Sequence, residues 1–391
     1  MRVLFVTAVL PSHYFVMAPF AWALRAAGHE VRVATQPELV ETVARSGLPV
    51  ISMGEDADFA RRFRNRARAR GPRSGDPKEL FCDIADGMAD DLVAFARAWR
   101  PDAVVWEPAT LAGPLAAAAC DAVSLRYLWG PDIVGRGIGR GNLPPRFAEL
   151  FERFGMRLED VPDWWNLDAC PDDAQVTGNT QRLPVRYVPY SGAGHVPAWV
   201  LRSSGRPRVC VTLGITMTEV AGEETFFVPK VLEALSGLDV ELVAAVVPSQ
   251  RRLLGEVPDG VRIAEDCALY KLVPSCDLVV HHGGVGSMLT AALNGVPQLM
   301  ITQMPDQGFF STHLARTGAG VHLAGDQANP KTLRETVSRM LEDLSCREAA
   351  AGVRQSMLAR PTPAECVPIV EGLVAEATTV QRSQSPRRGV A

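Results

Sequence analysis

VVHHGGVGSMLTAALNGVPQLMITQMPDQ, residues Val279–Gln307, runs from a short apolar segment through two histidines and a glycine-rich turn into an Ala/Leu-rich segment. That order predicts a strand, a tight loop and a helix N-terminus. A helix start leaves backbone N–H groups without partners and carries a partial positive charge, so an arriving phosphate meets donors and a favourable dipole together. Gly283, Gly284 and Gly286 place no Cβ between such an anion and the backbone, and His282 and Ser287 can each add a side-chain donor. A second apolar run, Gly295–Ile301, predicts another strand and leads to Met304-Pro305-Asp306-Gln307. The carboxylate of Asp306 and the amide of Gln307 suit hydroxyls on a group attached beyond the phosphate. The alternative is an ordinary α/β unit whose glycines serve only the turn. The coincidence of a histidine pair, three glycines, a serine and a downstream Asp-Gln pair outweighs it.

With 391 residues the chain exceeds the size at which one core usually stops growing, which predicts two domains of roughly 180 residues each. Its net charge of -4 argues against a broad nucleic-acid-binding face. Met1–Leu10 is largely apolar, but His13 follows and no cleavage-site pattern does, so the start reads as a first buried strand. No segment approaches about 18 consecutive apolar residues, so no membrane span is expected. The eight cysteines are scattered without metal-ligand spacing, which points to buried thiols in a reducing cytoplasm. His281 and His282 are adjacent rather than one helical turn apart, and no acidic metal-binding motif occurs; no metal is expected.

Residues 2–10 predict a strand, Leu10–Pro19 a loop, and Ala18–Gly28 a helix ended by Gly28. Val31–Thr35, Leu39–Ser46 and Val50-Ile51 repeat the alternation, the βαβ pattern of a parallel, doubly wound sheet. His13 lies in the first loop, at the carboxyl end of a strand, where open α/β sheets hold ligands. An imidazole there can take a proton from a hydroxyl, and it can equally serve as a structural hydrogen-bonding group. Arg61–Arg73, RRFRNRARARGPR, carries seven arginines with no acidic partner and reads as a solvated, mobile loop, with a contact to a protein or an acidic group as the alternative.

Pro77–Ala98 predicts a helix and Ala103–Trp106 a strand, with Glu107 and Thr110 just past its end. Leu125–Asn142 is rich in glycine and contains Trp129, Asp132 and Ile133, and Trp164-Trp165 follow. These aromatics suit either a platform for a flat apolar ligand or plain core filling. Gly194–Arg208 accumulates glycine, proline and serine and reads as a linker; beyond it, strand Val209–Leu213 leads to Gly214-Ile215-Thr216, whose backbone and hydroxyl can face a diphosphate across a cleft. Lys331–Leu344, Cys346–Leu358 and Thr362–Glu376 predict helices, and after Thr378 periodicity is lost.

HHGGVGS, followed by GVPQL, DQ and GAGVHL, resembles the nucleotide-sugar-binding half of the actinobacterial glycosyltransferases that attach deoxysugars to macrolide, anthracycline and related natural products. The resemblance spans residues 1 to about 375 and is specific to the superfamily rather than to one substrate. It implies an α/β GT-B fold, two Rossmann-like doubly wound domains facing a central cleft. The domains would be an acceptor-binding domain 1–197, a linker 198–207 and a nucleotide-sugar-binding domain 208–375 whose last helix returns to the first, with a flexible tail 376–391. It further implies inverting transfer of a deoxysugar from a dTDP-sugar to an aromatic polyketide or macrolide aglycone, without a metal. It leaves room for a homodimer or a helper protein. His13 would be the general base and Glu107 its orienting carboxylate. Gly214, Thr216, His282, Gly283, Gly284, Gly286 and Ser287 would hold the diphosphate, and Asp306 and Gln307 the sugar. Where relatives carry Trp-Val-Pro facing the pyrimidine, this chain has Asp266-Cys267-Ala268, so the backbone of Cys267 would contact the base without a stacking ring. Two other readings share the architecture: an auxiliary nucleotide-sugar-binding protein without catalysis, and a nucleotide-sugar 2-epimerase.

Overall fold

The computed structural model describes residues 1–56, 58–70, 77–133, 145–157, 159, 161, 163–176, 181–202 and 204–384, with only the backbone described for 66–70, 77, 78 and 380–384. Among these residues the strands form two all-parallel sheets. The first holds β1 (Arg2–Val6), β2 (Glu30–Thr35), β3 (Val50–Ser52), β4 (Ala103–Trp106), β5 (Val123–Leu128), β6 (Trp164–Asp168) and β7 (Arg182–Pro184), in the order β3-β2-β1-β4-β5-β6-β7. The second holds β8 (Arg208–Thr212), β9 (Glu241–Val246), β10 (Arg262–Glu265), β11 (Leu278–His281), β12 (Gln298–Thr302) and β13 (Gly320–Ala324), in the order β10-β9-β8-β11-β12-β13.

Both faces of each sheet are covered, as a parallel sheet requires. In β1 the side chains of Val3 and Phe5 join one apolar cluster, while Leu4 and Val6 join another on the opposite face. All four are at most 1% exposed, each worth about 1.5–3 kcal/mol of burial. The strand order reverses between β1 and β4 in the first sheet and between β8 and β11 in the second. At such a switch point the flanking loops part and open a crevice at the strands' carboxyl ends. His13 and Glu107 follow β1 and β4; Gly214 and His282 follow β8 and β11.

Three expectations need correction. His13 sits in the first turn of a helix, Pro11–Ala26, rather than in a loop before Ala18. Pro11 occupies the first helical turn, where a missing N–H is harmless, and Leu10 O accepts from His13 N at 3.0 Å; Pro19 lies inside the helix. The arginine-rich segment is helical over Phe59–Arg70, because Phe59 and Phe63, one turn apart, stack at 6.1 Å and anchor one face; residues 71–73 lie outside the described residues. The last helix runs Pro363–Gln384, past Glu376, and residues 385–391 of the expected tail lie outside the described residues.

Cys366, Val367, Val370 and Val374 of that helix pack in the same cluster as Phe20 and Leu24 of Pro11–Ala26. The chain therefore crosses from the second sheet back to the first. Arg186 N donates to Pro361 O at 2.6 Å, and the Arg360 guanidinium donates to Asp168 O and to Asp172 Oδ1, both at 2.9 Å. The outward crossing has structure of its own: Ala198–Leu201 is a short 3-10 turn, and His195 pairs with Cys267 in an isolated parallel bridge.

Candidate active site

The two switch points face one another across a cleft of about 1180 Å³. On the first-sheet side, His13 Nδ1 lies 3.0 Å from Glu107 Oε2. Glu107 is fully buried, and the same oxygen also accepts from Ala109 N at 2.9 Å and from Trp129 Nε1 at 3.1 Å, while Thr110 Oγ1 donates to Oε1. Burial opposes ionisation of this carboxyl, but the charge and hydrogen bond of His13, with the Thr110 and Ala109 donors, outweigh it and hold the pKa below the usual carboxylate value. An ionised carboxylate can only accept, so Nδ1 carries the proton and Nε2 is left as an acceptor. This is the arrangement a general base needs.

On the second-sheet side, β11 ends in two histidines with different duties. His281 is fully buried; its Nδ1 accepts from Gly283 N at 3.1 Å, so Nε2 bears the proton and donates to Gln298 Oε1 at 2.9 Å. It holds the loop together. His282 lines the cleft, and its buried Nδ1 has no hydrogen-bond partner. Burial, helped by His281, pushes the pKa of His282 down to about 3, and burial pushes His281 down to about 4, so both rings are neutral near pH 7.

The glycines make room for that ring. A Cβ on Gly284 would stand 2.2 Å from His282 Nε2, and one on Gly214 2.8 Å from its Cε1. Gly283 adopts φ +82, which suits a residue without a side chain. Helix Val285–Leu293 then starts at Gly284 with no side chain capping it, so its first N–H groups face the cleft unpartnered. Ser287 and Gly286 line the same wall.

Thr216 Oγ1 donates to Ser12 Oγ at 3.4 Å, beside His13, joining the two sides. Arg64 makes a second bridge, to Glu219 O at 2.5 Å. Asp306, at the start of helix Pro305–Ala315, opens to solvent in the cleft. The protein around it nonetheless raises its pKa, against the backbone N–H groups of Gln307 and Asp306 and the charge of His13. Gln307 is differently employed. Its Oε1 accepts from Gln303 N and Met304 N at 3.1 and 3.2 Å, and its Nε2 contacts Met217 Sδ at 2.9 Å, so the amide fixes the turn that presents Asp306. Cys267 lines the cleft with Asp266 and Ala268, its backbone running beside His195.

Trp164 and Trp165 do not line the cleft among the described residues. Trp164 packs edge-on to Trp106 at 5.5 Å, and Asp132 is buried against the Arg126 guanidinium. Of the expected acceptor-loop residues Trp129 and Ile133 line the cleft, whereas 134–142 lie outside the described residues. Sequence reasoning missed the apolar wall formed by Phe59, Phe63, Leu80 and Phe81, continued by Phe15 and Tyr190. Its signal was there: Phe59 and Phe63 stand four residues apart among the arginines, a helical stripe. Among the described residues no group of three or more His, Cys, Asp and Glu gathers to hold a metal ion, and no helix is long and apolar enough to cross a membrane.

Two Rossmann-like halves with a carboxylate-held imidazole facing an open helix start define a nucleotide-sugar-dependent glycosyltransferase of the GT-B type. Comparison with known proteins narrows the class. Residues 22–214 match the N-terminal domain, and residues 229–373 the C-terminal domain, of the erythromycin biosynthesis protein CIII-like family, and the chain belongs to that family. It is 37% identical to tylactone mycaminosyltransferase of Streptomyces fradiae, over 99% of this chain and 96% of that protein. It is 36% identical to 10-deoxymethynolide desosaminyltransferase of Streptomyces venezuelae, over 96% of this chain and 98% of that protein. A solved spinosyn rhamnosyltransferase complexed with thymidine diphosphate superposes with a TM-score of 0.80 at 30% identity, covering 95% of this chain and 100% of that one. The chain is thus a glycosyltransferase of the same family as these deoxysugar transferases.

Proposed function

We propose that His13 is the general base and that the turn at His282–Ser287 receives the leaving diphosphate. The observation that carries this reading is the facing of two switch points, one bearing the His13–Glu107 pair and the other an uncapped helix start beside an unpartnered His282 nitrogen. In the reaction, the acceptor oxygen attacks the anomeric carbon of a dTDP-deoxysugar as the bond to the diphosphate breaks on the opposite face. His13 Nε2 takes the acceptor proton, and the dTDP keeps the electron pair. Inversion follows from the single displacement.

Charge grows on the diphosphate as its bond breaks, and fixed N–H donors aimed there act without reorganising. Gly283, Gly284, Gly286, Ser287 and His282 supply them from one side, Gly214 and Thr216 from the other. A neutral His282 donates one hydrogen bond without bringing a charge that must be desolvated. Asp306 receives sugar hydroxyls or an amino substituent, held in place by Gln307, and the backbone at Cys267 meets the thymine. Phe59, Phe63, Phe81 and Tyr190 offer the aglycone an apolar wall. A protein that only bound nucleotide sugars would have no use for the buried carboxylate behind His13. Cys120, Cys170, Cys210, Cys267, Cys276, Cys346 and Cys366 of this chain are thiols outside any disulfide, which suits a reducing compartment such as the cytoplasm.

Calorimetric titration with dTDP and UDP tests the donor half. The wild type is expected to bind dTDP in preference, and His282→Ala to weaken that binding about 10- to 100-fold, the worth of one hydrogen bond to a charged group. Equal affinity in a folded His282→Ala protein would remove His282 from the site.

A further inference from the structure

We propose that Trp129 is a positioning residue for the His13 base. The inference rests on the reading of His13 given above. Three contacts converge on this indole. Its Nε1 donates to Glu107 Oε2 at 3.1 Å, the same oxygen that faces His13 Nδ1 at 3.0 Å. Its ring stacks on the imidazole of His13, with centroids 4.8 Å apart and planes 21° from parallel. Its edge meets Phe310 of the opposite half at 5.8 Å and 83°.

Each contact removes a freedom that a base must not have. A carboxylate oxygen shared by His13 and Ala109 alone could swing toward other donors; the indole N–H gives it a third fixed partner. A ring held at one nitrogen can still tilt about that hydrogen bond, and the stacked indole blocks the tilt on one face. It also keeps water from the Nδ1 proton that sets the tautomer. Trp129 stands at the end of β5, on a turn fixed by the buried Arg126–Asp132 pair and by Asp132 N donating to Gln175 Oε1 at 2.7 Å, so the indole has a rigid footing. Phe310 belongs to helix Pro305–Ala315, which carries Asp306 in its first turn. The base assembly in one half thus rests on the sugar-facing helix of the other, and the His13 ring is fully oriented only when the halves are together.

The test combines kinetics with nuclear magnetic resonance of protein carrying 15N-labelled histidine, assigned with His13→Ala. In the wild type the His13 Nδ1 proton is expected to exchange slowly with water. Trp129→Leu, which loses the indole N–H and the stacked ring, is expected to speed that exchange at least tenfold and to lower kcat about tenfold, while calorimetric dTDP affinity stays within twofold. Trp129→Phe keeps a ring and falls between. Because the N–H acts through Glu107, Trp129→Phe is expected to change kcat by less than twofold in a Glu107→Gln background.

Unchanged proton exchange in Trp129→Leu would overturn the proposal, as would full additivity of Trp129→Phe and Glu107→Gln. A loss of dTDP affinity parallel to the loss of kcat would assign Trp129 to general packing and overturn it as well. Full turnover by His13→Ala would instead remove the base assignment, and is read separately from the proton exchange.

Discussion

The cleft holds two histidines, one on each wall, and they are treated in opposite ways. His13 is given a fully buried carboxylate, which accepts from its Nδ1 and waits for a positive charge to form. His282 is given no carboxylate; it is buried against two glycines and a second neutral histidine, and its pKa is driven down to about 3. A ring meant to collect a proton needs a partner that welcomes the cation. A ring meant to donate to an anion is better kept neutral, since a cation would have to be stripped of water at each binding event. In the proposed reaction the same side chain serves acid-base work on one wall and anion binding on the other, and the neighbours decide which.

The sharpest way to break this contrast is to delete the collecting ring. His13→Ala is expected to lower kcat about 10²- to 10⁴-fold with little change in donor affinity, because a base acts mainly in the transition state. Steady-state rates beside dTDP calorimetry check it, and equal turnover would sink the assignment. Glu107→Gln keeps the shape but offers an N–H₂ as readily as an acceptor, so the imidazole loses its fixed tautomer; kcat is expected to fall about 10- to 100-fold. A loss below twofold would make the pair ornamental.

The other wall is tested by acid. His281 and His282 are depressed to about 4 and about 3, so between pH 7 and 5 they take up protons in the unfolded chain and not in the native one. Stability is therefore present above the unfolded value near 6.5 and is lost as pH falls below it, by about 2 kcal/mol for each ring at pH 5. Urea unfolding at the two pH values measures this, and His282→Gln is expected to remove roughly half of the dependence. A wild type equally stable at pH 7 and 5 would contradict the neutral rings. The smallest effect belongs to the apolar wall: Phe63→Ala is expected to raise the acceptor KM about three- to tenfold and leave dTDP binding unchanged.

The two walls also differ in how plainly they were written in the chain. The donor wall is nearly contiguous, since β11, its turn and the following helix bring backbone donors, His282 and Ser287 together within seven residues, His281–Ser287. Local rules suffice there. The other wall joins His13 to Glu107 across 94 positions, and only their places after neighbouring strands hinted at contact. The doubly wound order supplied the rest, by putting β1 beside β4. The loop expected over Leu10–Pro19 is helical from Pro11 onward, because a proline in the first turn starts a helix rather than breaking it. The arginines around Phe59 and Phe63 hid an aromatic stripe behind a run of charge. Trp164 and Trp165 suited a ligand and a core equally by composition; β6 lies between β5 and β7, and the core took Trp164. Gln307 was legible as an amide near the sugar, but not as the cap of its own helix, because that depends on which backbone groups the turn leaves open.

The closing helix, Pro363–Gln384, has a consequence for how the protein is made. Its apolar residues complete a core whose other members, among them Phe20 and Leu24, leave the ribosome hundreds of residues earlier. Until that helix has been made, the face of the first half that it covers stays bare. Truncation before Pro363 is therefore expected to leave that apolar face of the first half open to other chains.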